Sequence, residues 1–338
     1  MEVAEFPGSP RDDGTGFVIN NTAFVGTGLS PWWSNEADFY GFDFETENWF
    51  EITSIPASEG RQYACGFSIN NHGYLFGGYN GTEFLNDLWC YDPTTNTWIE
   101  KTSLPSIGRG GSSCIVINNL VYVVGGKTSS SSAIDEVWCY NPTSDTWTQK
   151  NVLNFGGIWR SATTSVNNVG YLIFGKAENN SFCNKLYSYD SQNDSWTEIS
   201  TFPAQGRTHS SLFSLDNTLF VSFGIDTSSN SFNDLWKFDL LASSWTLIPG
   251  FPSIGRRGGT SFVYNNIFYY TTGIDENNNR LKETWKYSPT LSIPTIENEI
   301  DPILLKVFDW TGKECDVIPN KLLFYQFSDG SIKKVIIN

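Results

Sequence analysis

The chain has 338 residues, and its 21 basic and 36 acidic residues give a formal net charge of −15. This excess of negative charge opposes binding to phosphate backbones and anionic lipid, so we expect no nucleic-acid partner. The 13 Trp, 15 Tyr, 25 Phe and 30 Gly beside one Met indicate many short strands and tight turns. No apolar run approaches the roughly 20 residues that a membrane helix needs, so we expect no membrane span.

The first ten residues match a segment that occurs again later in the chain. The sequence EVAEFPGSPR at residues 2–11 aligns with EISTFPAQGR at residues 198–207. The later copy ends a repeated unit, so we predict that residues 1–10 form the last strand of such a unit. Residues 2–6 are then expected to close the fold by pairing with residues 282–287, and pairing of residues 291–296 at that place is the alternative.

A unit of about 49 residues repeats six times, with starts near residues 11, 61, 109, 160, 207 and 256. An alternating run, an Asn-rich turn, a second run that ends in glycine and two further aromatic runs predict four antiparallel strands in each unit. One tryptophan recurs at intervals of 49 residues: Trp49, Trp98, Trp147, Trp196 and Trp245.

The pattern R…NN…YxxGG…(D/E)xWxYD…TxxW resembles the kelch repeat, the blade unit of one class of β-propeller, over residues 1–289. The resemblance implies an all-β, six-bladed kelch-type β-propeller at residues 1–290, with four antiparallel strands per blade. The double glycine is complete only at Gly77-Gly78 and Gly125-Gly126. In kelch propellers the arginine of the unit commonly ties neighbouring blades together, a role expected here for six residues: Arg11, Arg61, Arg109, Arg160, Arg207 and Arg256.

The repeat ends near residue 290, and residues 291–338 contain the strand-like runs ILLKVFDWTGKEC, KLLFYQFSDG and SIKKVIIN. They resemble the latter half of the C-terminal sorting domain that Bacteroidetes proteins carry for type IX secretion. The resemblance implies a bacterial protein that is secreted or held at the outer-membrane surface, and a capping β-segment is the alternative. The start MEVAEF does not resemble a signal peptide, so we expect any such signal to be absent from this chain.

The six cysteines lie at positions 65, 90, 114, 139, 183 and 315. Cys90 and Cys139 occupy the same place in successive units, beside a tryptophan, which is typical of small buried apolar residues. We therefore expect reduced thiols, although spacing alone leaves disulfide pairing open.

The sequence contains few residues of a kind that would support catalysis or metal binding. Its two histidines are His72, in a predicted turn, and His209, on an innermost strand near the predicted channel mouth. Kelch oxidases related to galactose oxidase hold copper with two Tyr and two His, which this chain does not match. We assign no catalytic residue, metal or cofactor, and we interpret acids near the loops as solvated: Asp12, Asp13, Glu178, Asp226, Asp275 and Glu276.

The loops after the second strand and before the first strand of each unit are expected on one rim. Exposed aromatic side chains there suit stacking on sugars or anchoring a protein, and packing over the rim is the alternative. Trp159 is aligned with Gly60, Gly108, Gly206 and Gly255. The predicted ligand-binding residues are Trp32, Trp33, Gln62, Trp159, Thr208, His209 and Arg257.

Two functions follow from this organisation. The first is a non-catalytic binding or scaffolding propeller, exported from the cell, that engages a glycan or protein on the loop-rich rim. The alternative is a sugar-modifying enzyme, such as an epimerase resembling the sialic-acid mutarotases, which are also six-bladed kelch proteins. Repeat propellers mostly bind, and no catalytic constellation is visible, so binding is favoured and enzymatic activity is left open.

Overall fold

The structure is a computed structural model that describes residues 1–129, 133–288, 304–327 and 331–336. The chain divides into two compact units, Met1–Pro289 and Thr290–Asn338. No helix among the described residues is long and apolar enough to cross a membrane.

Within the described residues the first unit contains six four-stranded antiparallel sheets, called blades 1 to 6 in chain order. The chain begins with β1 (Glu2–Val3), and blade 1 consists of β2 (Thr15–Ile19), β3 (Thr22–Gly26), β4 (Phe39–Asp43) and β5 (Asn48–Glu51). After a short 3-10 turn at Ala57–Glu59, blade 2 consists of β6 (Cys65–Ile69), β7 (His72–Tyr79), β8 (Phe84–Asp92) and β9 (Thr97–Lys101). Blade 3 consists of β10 (Ser113–Ile117), β11 (Leu120–Val124), β12 (Val137–Asn141) and β13 (Thr146–Gln149).

The short strands β14 (Ile158–Trp159) and β17 (Lys176–Ala177) pair with each other beside blade 4. Blade 4 consists of β15 (Ala162–Val166), β16 (Val169–Ile173), β18 (Lys185–Asp190) and β19 (Ser195–Thr201). Blade 5 consists of β20 (Ser211–Leu215), β21 (Thr218–Ser222), β22 (Leu235–Asp239) and β23 (Ser244–Ile248). The short strands β24 (Arg256–Arg257) and β27 (Ile274–Asp275) pair beside blade 6, which contains β25 (Thr260–Tyr264), β26 (Ile267–Thr271) and β28 (Thr284–Tyr287).

The N-terminal strand completes blade 6 from outside. Glu2 pairs with Trp285 and Val3 with Thr284, and the amide of Phe6 donates to the carbonyl of Lys282 at 2.8 Å. The innermost strand of each blade lies next to that of its neighbours, and β25 lies next to β2, so the ring is closed. The chain therefore folds as a β-propeller in which the first and last blades are joined by the chain's own start, and residues 291–296 lie outside the described residues.

Four of the five periodic tryptophans join the outer edge of one blade to the preceding blade by a hydrogen bond, whereas the indole nitrogen of Trp196 is buried without a partner among the described residues. The indole nitrogen of Trp98 donates to the carbonyl of Thr53 at 2.8 Å, and Trp147 donates to Thr102 at 2.7 Å. Trp49 makes the same contact with the carbonyl of Ala4 at 2.9 Å. Residues 1–10 thus accept the tryptophan hydrogen bond of blade 1, as the segments after the outer strands of blades 1 and 2 do for blades 2 and 3.

Five fully buried arginines each bind an acidic side chain that lies near the start of the third strand of the same blade. The pairs are Arg11–Asp38, Arg61–Asp87, Arg109–Glu136, Arg207–Asp234 and Arg256–Glu283. The prediction that Arg160 is a sixth member is wrong. Blade 4 has the buried Ile158 at the arginine position and Lys185 at the acid position. Both partners are replaced together, which avoids a buried charge without a partner.

The prediction that the cysteines are reduced is wrong for one pair. Cys65 and Cys114 form a disulfide between β6 and β10, with Cα atoms 6.2 Å apart. Innermost strands of adjacent blades converge towards the axis, so equivalent residues there come within bridging distance. Cys90 and Cys139 are free and buried, and burial raises the pKa of both thiols.

The second unit contains a three-stranded antiparallel sheet of β29 (Leu304–Phe308), β30 (Leu322–Phe327) and β31 (Ile332–Ile336). Its side chains Val307 and Leu323 are buried. The strand-like runs predicted from the sequence therefore form a small sheet of their own.

Candidate functional site at the channel mouth

Six residues, one from each blade, form a closed ring of backbone hydrogen bonds around the propeller axis. Each amide donates to the carbonyl of the equivalent residue in the preceding blade, with N···O distances between 2.6 and 3.4 Å. All six have left-handed backbone conformations, with φ between 55° and 66°. The ring residues are Asp13, Tyr63, Gly111, Arg160, His209 and Gly258.

Four ring residues carry side chains at a position where glycine is the unstrained choice. A residue with a Cβ pays about 1 kcal/mol or more in this conformation, and blades 3 and 6 avoid that cost with Gly111 and Gly258. Asp13, Tyr63, Arg160 and His209 are therefore the first residues in which to look for function.

The two ring glycines make room for pairs of these side chains. A Cβ on Gly258 would lie 2.8 Å from Oδ1 of Asp13, and one on Gly111 would lie 3.1 Å from Cγ of Arg160. Across Gly258, Nε2 of His209 lies 3.5 Å from Oδ1 of Asp13. Across Gly111, the Arg160 guanidinium lies 4.1 Å from the ring centre of Tyr63.

Asp13 and His209 are both buried, so the interpretation of Asp13 as a solvated loop acid is wrong. Burial raises the pKa of Asp13 to about 7, although Arg160 and a hydrogen bond from Tyr63 act in the opposite direction. Burial, followed by the charges of Arg160 and Arg257, holds the pKa of His209 well below its ordinary value. At neutral pH the imidazole is therefore uncharged, and the Asp13 carboxyl is close to its pKa.

A cavity of about 790 Å³ lies over this ring and is called the channel-mouth cavity. Its wall includes Asp12, Trp33, Arg257 and Arg280 from the rim loops. Nε of Arg280 lies 2.5 Å from Oδ1 of Asp12, and its guanidinium lies 5.3 Å from the centre of the Trp33 ring. Asp12 is thus an ion-pair partner of Arg280 and is also not a solvated acid.

Two further guanidiniums face this cavity, and the charges of both act on the nearby Asp13. Arg160 and Arg257 both line it, and neither has an ion pair within the part of the chain that the structure describes. The Nε atom of Arg160 is buried without a hydrogen-bond partner. In a chain with a net charge of −15, these guanidiniums give the channel mouth groups whose chemistry suits an anion.

A smaller cavity of about 330 Å³, called the side cavity, shares Tyr63 and Arg160 with the channel-mouth cavity. Gln62, Lys127 and Trp159 belong to its wall. The structure therefore distributes the predicted site residues over two adjoining cavities. Trp33, His209 and Arg257 belong to the first, and Gln62 and Trp159 belong to the second.

The two remaining predicted residues lie outside these walls, as far as the described residues define them. Trp32 is 74% exposed beside Trp33, and it is absent from the wall of either cavity. Thr208 is buried, and its hydroxyl donates to the carbonyl of Arg160 at 3.3 Å. That contact supports the ring of backbone hydrogen bonds, so Thr208 positions Arg160.

The alignment of Trp159 with the module glycines is wrong by two residues. Gly157 holds the glycine position in blade 4: a Cβ there would lie 2.3 Å from the carbonyl oxygen of Ala133, as one on Gly60 would lie 2.1 Å from that of Asn35. Trp159 pairs with Lys176 as Gln62 pairs with Tyr79. The prediction aligned Arg160 with the buried arginines of the other units. A spacing of 49 residues from Arg109 and from Arg207 instead places Ile158 at that position.

Comparison with known proteins places the fold in a family. The family model of the Attractin/LZTR1 beta-propeller matches residues 99–293, and that of the KLHDC2/KLHL20/DRC7 Kelch-repeats domain matches residues 1–166. The chain belongs to the kelch-repeat β-propellers. No curated protein matches this kelch propeller significantly.

Solved structures agree with this assignment at the level of the fold. The kelch propeller superposes on the structure of YjhT with a TM-score of 0.73 and 18% sequence identity. The match covers 85% of this chain and 97% of that chain. At this identity the likeness shows a common fold, and the site has to be interpreted from its own residues.

Proposed function

We propose that this kelch propeller binds a carboxylate-bearing sugar in the channel-mouth cavity. The observation that carries the proposal is the pair of guanidiniums, Arg160 and Arg257, that face the cavity without an ion pair among the described residues. The kelch fold supports a binding or scaffolding role in general. The two guanidiniums add the chemical class of the ligand, an anion such as a carboxylate.

Each part of the cavity wall suits one part of such a ligand. A guanidinium binds a carboxylate through two parallel hydrogen bonds. Trp33, which is 78% exposed, offers an aromatic face for the apolar face of a sugar ring. A volume of about 790 Å³ lies within the range of roughly 300–1,000 Å³ found for small-molecule sites.

Export from the cell is also part of the proposal. The resemblance of the C-terminal runs to a type IX sorting domain supports it, and the Cys65–Cys114 disulfide is of a kind that persists in oxidising compartments. A reporter protein fused to residues 291–338 and expressed in a Bacteroidetes host tests this part. Retention of the reporter in the cytoplasm would contradict it.

An array of uronic-acid and sialic-acid glycans, followed by calorimetric titration of the sugars that bind, tests the ligand class. We expect Arg257→Met and Trp33→Ala each to weaken binding by about tenfold or more. The matched controls are Lys313→Met, in the second unit, and Trp32→Ala, because Trp32 is as exposed as Trp33 but lies outside the cavity wall. Binding that is limited to neutral sugars, or that the Arg257 variant leaves unchanged, contradicts the proposal.

A second candidate is the interconversion of sugar anomers in the same cavity. Asp13, with its pKa raised to about 7, lies 3.5 Å from the uncharged His209, so the two groups are suited to exchange protons near neutral pH. One group would take the proton of the anomeric hydroxyl while the other protonates the ring oxygen; closing the opened ring reverses both steps. NMR measurement of the rate of anomer exchange for an acidic sugar tests this, with Asp13→Asn expected to abolish acceleration.

A further inference from the structure

We infer that the side cavity is a second sugar subsite, so that the ligand is an oligosaccharide whose acidic residue occupies the channel-mouth cavity. This inference rests on the proposed function, since it takes the binding of an acidic sugar at the channel mouth as given. Beyond the proposed function, it states that the ligand contains at least two sugar units and names the residues that bind the second unit.

The two cavities meet along the Tyr63–Arg160 contact, because both residues line both cavities. The Arg160 guanidinium lies between two aromatic rings, 4.1 Å from the centre of the Tyr63 ring and 4.0 Å from that of Trp159. An anion held by Arg160 therefore lies at the boundary between the cavities. A ligand that extends beyond that boundary reaches the side cavity.

The wall of the side cavity combines aromatic faces with polar groups that lack partners. Trp159, Tyr79 and Phe84 supply the aromatic part, and the last two rings pack at 4.9 Å. Gln62 is only 8% exposed, yet among the described residues its side-chain oxygen has no hydrogen-bond partner. A buried amide oxygen without a donor is unfavourable, so a ligand hydroxyl that donates to it gains a hydrogen bond that the free protein lacks.

Lys127 adds a cation at the same wall. Its Nζ atom lies 5.0 Å from the centre of the Trp159 ring, and among the described residues it has no ion pair. Aromatic faces beside an amide and an ammonium group match a hydroxylated ring, which presents C–H groups on its face and hydroxyls at its edge.

This arrangement also bears on the choice between binding and catalysis. An acidic sugar joined to a second sugar through its anomeric carbon has no free anomeric hydroxyl, so it cannot exchange anomers at that carbon. Occupation of both cavities by one linked ligand therefore favours recognition over conversion.

Two pairs of probes test the inference by calorimetric titration of the full chain: galacturonic acid with digalacturonic acid, and N-acetylneuraminic acid with 3′-sialyllactose. For the pair that binds, we expect the longer probe to bind about tenfold more tightly. Gln62→Leu should remove that advantage and change the affinity for the short probe by less than roughly twofold. Trp159→Ala should also remove the advantage, but it deletes a ring that packs on Arg160, so Gln62→Leu is the variant that isolates the second subsite. Trp310→Ala, a 79% exposed tryptophan in the second unit, is the matched control.

The outcomes separate the inference from the proposed function. If the two probes of a pair bind with equal affinity, the second subsite is wrong while acidic-sugar binding stands. The same holds if Gln62→Leu lowers the affinity for the short probe as much as the affinity for the long one. If no probe binds the unaltered protein, the proposed function fails and the inference fails with it. Trp159→Ala removes a large side chain and can lower the stability of the fold. Gln62→Leu preserves side-chain volume, so its thermal unfolding distinguishes loss of the subsite from loss of the fold.

Discussion

The Nε2 atom of His209 lies 3.5 Å from Oδ1 of Asp13, although the two residues belong to blades 5 and 1 and are separated around the ring by Gly258. Because Gly258 has no side chain, the imidazole and the carboxyl meet across it. Burial keeps the imidazole uncharged at neutral pH and raises the pKa of the Asp13 carboxyl to about 7. The charge on Asp13 therefore changes around neutral pH, which makes the channel mouth sensitive to pH.

Asp13 should contribute a fall in the free energy of unfolding as the pH rises from about 4 to about 7. The ordinary pKa of Asp13 is 3.8 and burial raises it to about 7, so the folded state binds more protons than the unfolded state in this window. Urea unfolding of Asp13→Asn across that range should remove this fall. A variant with the same pH profile as the unaltered protein would show that Asp13 is solvated.

His209 should contribute a slope of the opposite sign. Its folded pKa lies well below the ordinary 6.5, so the unfolded state binds the additional proton and stability is lost as the pH falls below 6.5. We measure the difference in urea midpoint between His209→Gln and the unaltered protein at pH 5 and at pH 8. This difference should favour the variant more at pH 5 than at pH 8. No change in that difference would contradict the buried, uncharged imidazole.

The paired replacement found in blade 4 should be reproducible in blade 5. Asp234→Lys alone leaves the buried Arg207 beside a like charge and should cost about 3–5 kcal/mol of stability. Adding Arg207→Ile should recover part of that cost, because Ile158 and Lys185 occupy the same two positions in blade 4. Double-mutant cycles from chemical unfolding measure the coupling, and strictly additive costs would exclude it.

The Cys65–Cys114 disulfide should stabilise the ring. Its two cysteines are 49 residues apart, and a loop of that size corresponds to about 4 kcal/mol in the chain-entropy account. Replacing both by Ser should lower the urea midpoint accordingly, whereas Cys90→Ala should cost only the packing of a small side chain. Non-reducing mass spectrometry that finds no Cys65–Cys114 peptide would refute the bridge.

Deletion of residues 1–7 should destabilise the whole ring. The deletion removes the pairing of Glu2 and Val3 with β28 and the Ala4 carbonyl that Trp49 binds, leaving an open sheet edge. Truncation after Asn298 is the control, and it should leave the melting temperature of the first unit nearly unchanged. Equal losses from both truncations would mean that the second unit contributes to the stability of the first.

The repeat by itself determined the fold. Runs that alternate with period two, Asn-rich turns and tryptophans spaced by 49 residues indicate strands, hairpins and blades, because these patterns reflect local backbone geometry and burial on one face. The same spacing also contained a signal that was missed. It places Ile158 and Gly157, rather than Arg160 and Trp159, in register with the other units.

Only the tertiary structure decided the composition of the site. Asp13, Tyr63, Arg160 and His209 come from four blades, and they meet because the closed ring brings one left-handed residue from each blade to the axis. The protonation of Asp13 and His209 follows from burial at that place, which no local pattern encodes. The Cys65–Cys114 bridge has the same origin, since its two strands come within reach only when the blades converge.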